Sequence, residues 1–308
     1  MKKLSIFPYV VFLSLFAIVF ACKDADGSKS KKDTILKGAT DILVDETLEP
    51  VIEDQIAVFE SVYPAKITMK AKSEKEVIRS LINDTLSIAI LSRKLTVAES
   101  KIFEDKKIIP KVTPFATDGI ALISNGKSGD TLIVLKDVLD LMRGKSQTTI
   151  KGLVFDNPNS STVRFMNELA GILQLPQKDV FSFKTNEEVI KYVAENEGMI
   201  GVVGVNWLYQ PSGNMKEIVK KVNVLSVKSE AGNEFYAPTQ NNIAEGKYPL
   251  ARDLFIINCQ GSSGLGMGFA SFIAGERGQR IILKSGLLPV RTPSRLIQIR
   301  TKTNNNKN

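Results

Sequence analysis

The chain has 308 residues, a formal net charge of +8 and 43% hydrophobic residues. It contains no histidine and two cysteines, Cys22 and Cys259. The lack of histidine excludes Ser-His hydrolysis, histidine metal ligands and histidine acid/base catalysis. Two cysteines are too few for a thiolate metal cluster, and the positive charge is spread without the long basic run that nucleic-acid binding would need.

The start of the chain has the pattern of a secretion signal. Two lysines precede an apolar, uncharged stretch over 4–21, and alanine precedes Cys22. The ending VFAC resembles the lipobox of bacterial lipoproteins, in which the signal is removed and the cysteine is acylated. An uncleaved membrane helix is the alternative. We therefore expect a signal peptide over 1–21, a lipidated tether over 22–33, and a bacterial membrane anchor facing the periplasm or the cell surface.

Alternating strands and helices are predicted between the tether and a polar tail over 300–308. A first unit has strands over 41–44, 65–70, 87–91, 107–113 and 119–124, and helices over 49–62, 73–83 and 96–105. Two of these helices begin with a capping box, Ser73 with Glu76 and Thr96 with Glu99. The order of the elements predicts a mostly parallel sheet covered by helices.

A second unit of strands and helices follows the first. It has helices over 136–142, 161–173 and 187–196, and strands over 149–155 and 199–205. The last elements are strands over 221–227 and 252–259 and helices over 268–275 and 279–284. This order predicts an α/β protein with one unit inserted in the other, so that lobe 1 covers 34–120 and 222–299 and lobe 2 covers 121–221.

The stretch VFDNPNSSTVRFM, over 154–166, joins an apolar strand to an amphipathic helix through a loop of small polar residues. Ser160 or Ser161 fits an N-cap, and a capped helix with Arg164 in solvent would explain the pattern without a ligand. Alternatively, the free N–H groups of the helix start, the hydroxyls and the guanidinium form a complete shell for an oxyanion such as phosphate. The first turn has no acidic residue, which favours an external anion.

The same stretch resembles the Ser-Gly-Thr anion loop of the PstS-like phosphate-binding proteins that serve ABC importers. Other segments resemble that family in the same order: the crossing strand (DGIALI, 118–123), the IGYVG strand (MIGVVG, 199–204), the YPLSR segment (YPLARDL, 248–254) and the late helical segment (SFIAGERGQR, 271–280, ending in GLLPV, 286–290). The resemblance extends over 40–291. It implies a type II, two-lobed periplasmic-binding-protein fold with two crossing strands, which captures phosphate or a similar oxyanion for an importer permease without a cofactor.

The resemblance also implies a set of ligand-binding residues, with departures from the family pattern. The set is Thr47, Ser92, Arg93, Asp118, Asp156, Ser160, Ser161, Thr162 and Arg164. Arg93 stands where the family has an aspartate that accepts the phosphate proton, and Val154 replaces an arginine of the anion loop. Arg93 would restore that cation from the other lobe, facing Arg164 across the cleft. Asp45 and Glu46 would instead repel anions or pair with Arg93.

Two other functions are compatible with the sequence. A surface lipoprotein could keep the two-lobed fold as an adhesion or assembly module without anion binding, and the altered loops after strands one and three favour this alternative. A phosphate-ester hydrolase is disfavoured, because the chain has neither histidine nor a clustered Asp/Glu metal motif. The sequence therefore predicts a binding protein and not an enzyme.

Overall fold

The computed structural model describes residues 34–84, 87–145, 150–260 and 264–291. The predicted signal peptide, Cys22, the tether and the tail over 300–308 lie outside these residues. In the described ranges, no helix combines the length and the apolar character that a membrane crossing requires.

The helices and strands follow one another along the chain in the alternation that the sequence predicts. The strands are β1 (Gly38–Asp45), β2 (Ala65–Lys72), β3 (Ile88–Leu91), β4 (Lys111–Asn125), β5 (Leu132–Val134), β6 (Gly152–Phe155), β7 (Val180–Ser182), β8 (Met199–Gly204), β9 (Val222–Val224), β10 (Ser226–Lys228), β11 (Phe235–Tyr236), β12 (Ala251–Asn258) and β13 (Leu288–Pro289). The helices are α1 (Glu49–Val62), α2 (Glu74–Asn83), α3 (Val97–Asp105), α4 (Leu135–Met142), α5 (Ser161–Ala170), α6 (Asn186–Glu195), α7 (Asn206–Tyr209), α8 (Lys216–Val219), α9 (Gln240–Ala244), α10 (Leu265–Ala274) and α11 (Glu276–Lys284). A short 3-10 turn, Glu46–Leu48, joins β1 to α1.

Several predicted boundaries follow from local chemistry. The capping boxes of Ser73 with Glu76 and of Thr96 with Glu99 both form at the starts of α2 and α3. Helix α5 ends at Ala170, earlier than predicted, because Gly171 adopts the left-handed conformation at φ 67°.

The principal sheet has the strand order β2-β1-β3-β12-β4-β8-β6-β7, and β13 and β9 also pair with β4. Strand β1 runs parallel to β2 and β3, and β6 runs parallel to β7 and β8. Strands β12 and β8 are both antiparallel to β4. The result is two groups of parallel strands joined through β4.

Strand β4 is a single strand of 15 residues, where the sequence predicts two. Its first part pairs with β12 as far as Gly119, and its last part pairs with β8 and β9 from Ile120 onward. The register between β12 and β4 shifts between Leu254 and Phe255, which pair with Ala116 and Pro114, so Phe115 of β4 is the extra residue of a β-bulge. The gap between the two predicted strands, over 114–118, is therefore part of one continuous strand and not a turn.

We divide the described residues into two lobes by their packing. The first lobe contains β1, β2, β3, β12, α1–α3, α10 and α11, whose buried side chains form two apolar clusters. The second contains β5–β11 and α4–α9, with two further clusters. Leu225, Val227 and Leu250 pack with Ile120 and Leu153 in the second lobe. This packing places the return crossing at the start of β12 instead of near residue 222, where the sequence pattern placed it.

Candidate ligand-binding site between the lobes

Polar side chains from both lobes meet where the strands of the sheet end. Thr47 follows β1, Ser92 follows β3 and Asp156 follows β6, and all three are buried. Because the carboxyl ends of parallel strands lie at one edge of a sheet, the loops after them converge. The two groups of parallel strands therefore bring their loops together at the boundary between the lobes.

Arg252, at the start of β12, lies at the centre of this boundary and is only 4% exposed. Its Nε and Nη2 atoms donate to Asp118 Oδ2 at 3.1 and 3.0 Å. Its Nη1 donates to Ser161 Oγ at 2.8 Å and its Nη2 to Thr47 Oγ1 at 3.2 Å. The two hydroxyls, one from each lobe, are 3.0 Å apart. One guanidinium thus joins a buried carboxylate on β4 to hydroxyls of both lobes.

The start of helix α5 supplies the second lobe's part of the centre. Ser160 is the N-cap and its Oγ accepts from the N–H of Val163 at 3.2 Å. The same hydroxyl donates to Asp156 Oδ1 at 2.5 Å, and Asn186 Nδ2 donates to Asp156 Oδ2 at 3.0 Å. Asp156 therefore orients the capping hydroxyl at the start of the helix, where the next residue, Ser161, contacts Thr47 of the first lobe.

Arg164, one turn into α5, reaches across to the first lobe. Its Nε donates to Glu74 Oε1 at 2.6 Å, and its Nη2 donates to Glu74 Oε2 and to Ser92 Oγ, each at 3.2 Å. Its Nη1 donates to Glu168 on its own helix at 2.9 Å. The pKa of Arg164 is raised, because its bonds to Glu74 and Glu168 outweigh the lowering effect of burial.

Arg93 meets the same carboxylate. Its Nε donates to Glu74 Oε1 at 3.1 Å, and its two Nη atoms donate to Glu99 at 2.7 and 2.9 Å. Burial lowers the pKa of Arg93, but the hydrogen bonds to Glu99 and the charge of Glu74 raise the pKa by more than burial lowers it. The net shift of the pKa is therefore upward. One alternative from the sequence was that Arg93 pairs with Asp45 or Glu46. The hydrogen bonds among the described residues instead join Arg93 to Glu74 and Glu99.

The carboxyl groups around the centre hold protons more tightly than usual. Burial, with the charge of Glu74 added, raises the pKa of Asp45 to about 6. Burial also raises the pKa of Asp156 and that of Glu46 to about 7 each, and it raises the pKa of Asp118. The cause is desolvation, which penalises the charged form of each acid. The centre therefore carries less negative charge near neutral pH than its count of carboxyl groups suggests.

Three buried polar atoms around the centre have no hydrogen-bond partner within the described part of the chain: Asp45 Oδ2, Asp118 Oδ1 and Thr162 Oγ1. The other oxygen of Asp45 accepts from the N–H and the hydroxyl of Thr47 at 3.1 and 3.0 Å. Because a buried polar atom without a partner costs free energy, these atoms are available to a polar ligand.

A cavity of about 430 Å³ leads to the arginine pair, and Glu74, Arg93, Ser160 and Arg164 line it. Arg252, Thr47 and Ser161 line none of the four described cavities. The side chains of the two lobes are in direct contact there. The lobes therefore have to separate before a ligand reaches Arg252.

The comparisons with known proteins agree with this architecture. The family model described as "PBP superfamily domain" matches residues 28–277. That is most of the chain, and it decides the family. The chain belongs to the PBP superfamily. No curated protein sequence matches it.

Solved structures similar to this PBP-superfamily chain share its fold. A phosphate ABC transporter substrate-binding protein from Clostridium perfringens, with bound phosphate, has a TM-score of 0.67 at 20% identity, covering 82% of this chain and 100% of that one. A phosphate transport receptor from Vibrio cholerae has a TM-score of 0.61 at 17% identity, covering 82% and 100%. PstS from Borrelia burgdorferi has a TM-score of 0.52 at 23% identity, covering 83% and 100%. The two-lobed α/β fold that the sequence predicts is confirmed.

The structure distributes the sequence-predicted residues of this PBP-superfamily protein between two neighbouring clusters. The first surrounds Arg252 and contains Thr47, Asp118, Asp156, Ser160, Ser161 and Thr162. The second surrounds Glu74 and contains Ser92, Arg93 and Arg164. Arg93 and Arg164 both bind Glu74, a carboxylate of the protein itself.

Sequence reasoning missed four residues of the site. Arg252 lies within the quoted YPLARDL segment, yet its pairing with Asp118 has no local signature. Glu74 lies between the two capping-box residues Ser73 and Glu76, and the sequence pattern assigns it no role. Asn206 Nδ2 and Trp207 Nε1 both donate to the carbonyl of Thr47, at 3.1 and 2.9 Å, and tie the second lobe to the loop after β1.

Proposed function

We propose that this chain captures phosphate or a related oxyanion between its two lobes and delivers it to an ABC importer. One observation carries the proposal: the buried guanidinium of Arg252 holds the hydroxyls of Thr47 and Ser161 together at the start of helix α5. A guanidinium, two hydroxyls and helix N–H groups directed at one point are the donors that an oxyanion requires. The phosphate-binding proteins among the similar structures support the same ligand class.

The lobes open to admit this ligand. Thr47 Oγ1 and Ser161 Oγ are in hydrogen-bond contact at 3.0 Å, so an anion cannot lie between them in the present arrangement. Separation of the lobes would expose both hydroxyls and Arg252 at once. A ligand that bridges the two lobes then stabilises the closed form over the open one.

A protonated oxyanion also needs an acceptor for its own hydroxyl. Asp45 Oδ2 is buried and has no hydrogen-bond partner among the residues that the structure describes, and it lies on the carboxyl group that also holds Thr47. Asp45 would therefore accept the ligand proton, the role that the related proteins give to an aspartate after strand three. Its position at the end of β1 compensates for the presence of Ser92 and Arg93 after β3.

The cellular setting of the proposal rests on the N-terminal sequence pattern. Acylation of Cys22 would anchor the protein to a bacterial membrane through the tether over 22–33. The lobes would then capture ligand on the periplasmic or outer side of that membrane and present it to a permease. Globomycin, which blocks lipoprotein signal cleavage, provides the check: treated cells should accumulate the uncleaved precursor, and unchanged processing would contradict the anchor.

Isothermal titration calorimetry with inorganic phosphate tests ligand binding. We expect saturable binding of one phosphate per chain, and at least a tenfold loss in Ser161→Ala, because the hydroxyl accepts from Arg252 and contacts the other lobe (roughly 1.4 kcal/mol per tenfold). Ser271→Ala is the matched control, since the Ser271 hydroxyl donates to the carbonyl of Met267 in its own helix at 2.8 Å. Equal affinity in Ser161→Ala and the wild type would contradict the proposed site.

A second function, an adhesion or assembly module without anion binding, is favoured by the position of Glu74. Its carboxylate already occupies the place between Arg93 and Arg164 that an anion would take. In that case calorimetry gives no heat with phosphate, sulfate or molybdate. Arg164→Ala would leave partner binding intact, whereas under the first function it weakens phosphate binding.

A further inference from the structure

Glu74 is the most enclosed charged side chain at the mouth of the cleft. Its side chain is 4% exposed, although it is the first residue of helix α2. Most first-turn acids lie in solvent, where they interact with the positive helix end. Here the carboxylate turns toward the second lobe and is covered by it.

The bonds of Glu74 join the two lobes. Ser92 and Arg93 come from the first lobe, as does Glu74 itself, whereas Arg164 belongs to α5, whose Val163 and Met166 are part of a second-lobe core cluster. The ion pair between Glu74 Oε1 and Arg164 Nε, at 2.6 Å, therefore crosses the boundary. A backbone bond from the N–H of Lys75 to the carbonyl of Asn159, at 3.4 Å, crosses at the same place.

The surroundings of this carboxylate are those of a bound anion. Arg164 donates to both of its oxygens, Arg93 donates to Oε1, and Ser92 donates to Oε2 at 3.3 Å. Two guanidinium groups and a hydroxyl around two oxygens match the donor set that recognises a carboxylate or a phosphate. The group that fills this position is covalently part of the protein.

We propose that Glu74 is a tethered anion that keeps the lobes closed without ligand and sets the affinity of the cleft. The second part rests on the proposed oxyanion function. Separation of the lobes breaks the bond between Glu74 and Arg164, so the apparent affinity is the intrinsic affinity multiplied by the fraction of molecules in the open form. Glu74 thus lowers the affinity of the cleft for every oxyanion by the same factor.

The closing role is tested without any ligand, by electron–electron resonance distances on the full-length chain in detergent. Spin labels at Lys101→Cys in the first lobe and Leu173→Cys in the second are on exposed positions. We expect Glu74→Gln to shift the distance distribution to longer values. Glu168→Gln is the matched control, because Glu168 binds the same Arg164 but within one helix. An unchanged distribution in Glu74→Gln overturns the proposal.

Arg164→Gln is a second variant, which distinguishes the effect of opening the lobes from the effect of freeing the two guanidinium groups. It removes the same bridge, so it should open the ligand-free protein as Glu74→Gln does. Glu74→Gln frees two guanidinium groups and should bind phosphate about tenfold more tightly, whereas Arg164→Gln should not gain affinity. Circular dichroism of both variants checks that they fold.

The outcomes distinguish the two proposals. If Glu74→Gln opens but no variant binds phosphate, the proposed oxyanion function fails and the closing role of Glu74 stands. If phosphate binds but Glu74→Gln stays closed with wild-type affinity, the role of Glu74 fails and the oxyanion function stands.

Discussion

Replacement of Arg252 by methionine tests the buried centre of the molecule. Methionine keeps much of the side-chain volume but removes the charge and the bonds to Asp118, Ser161 and Thr47. Asp118 is fully buried, at 0% exposure, so its carboxylate would be left without its cation. Breaking a buried ion pair in this way costs about 3–5 kcal/mol, and we expect a loss of that size in the free energy of unfolding.

Urea denaturation followed by circular dichroism measures the loss, and a double variant tests its cause. Arg252→Met with Asp118→Asn removes both charges, so we expect it to be less destabilised than Arg252→Met alone, by about 2 kcal/mol or more. Arg280→Met is the control, because Arg280 is 44% exposed in its pair with Glu276, and such surface pairs contribute about 0–1 kcal/mol. A loss below about 1 kcal/mol in Arg252→Met, or a double variant no better than the single one, would refute the reasoning.

Two further predictions concern pH and packing. Because burial raises the folded-state pKa of Asp45 from 3.8 to about 6, the wild type loses stability as the pH rises through that interval, and Asp45→Asn should be more stable on the order of 1–3 kcal/mol at pH 8. That gain in stability should disappear near pH 4, which urea titrations of both proteins at three pH values would show. A difference in stability that does not change with pH would contradict the prediction. Gly201→Ala should destabilise by about 1–3 kcal/mol, because a Cβ there lies 2.8 Å from Ile123 Cγ1 and 2.9 Å from Val193 Cγ2; a melting temperature equal to that of the wild type would count against this packing.

The sequence predicts the local elements well because their signals are local. The helix over 49–62 has the predicted bounds, and Ser160 caps α5 as one of the two expected residues. The caps, the apolar spacing and the breaks at glycine all depend on residues within a few positions of one another. The family resemblance added the two-lobed arrangement, which such local signals do not contain.

The partners of the charged side chains could not be predicted in the same way. Arg164 binds Glu74, which is 90 residues away in the chain, and Arg252 binds Asp118 at a separation of 134. The choice among nearby acids depends on how the lobes meet, and several carboxyl groups compete for each arginine. The packing of β9 and β10 could not be predicted for a related reason, because both are short strands that pair with strands distant in sequence.

Crystallisation of the protein with arsenate tests the central claim most directly, because arsenic scatters anomalously and has the geometry of phosphate. The account predicts an anomalous peak within hydrogen-bond distance of Thr47, Ser161 and Arg252, with the two hydroxyls farther apart than 3.0 Å. Direct contact of those hydroxyls in the presence of saturating arsenate, with no peak between the lobes, would contradict it.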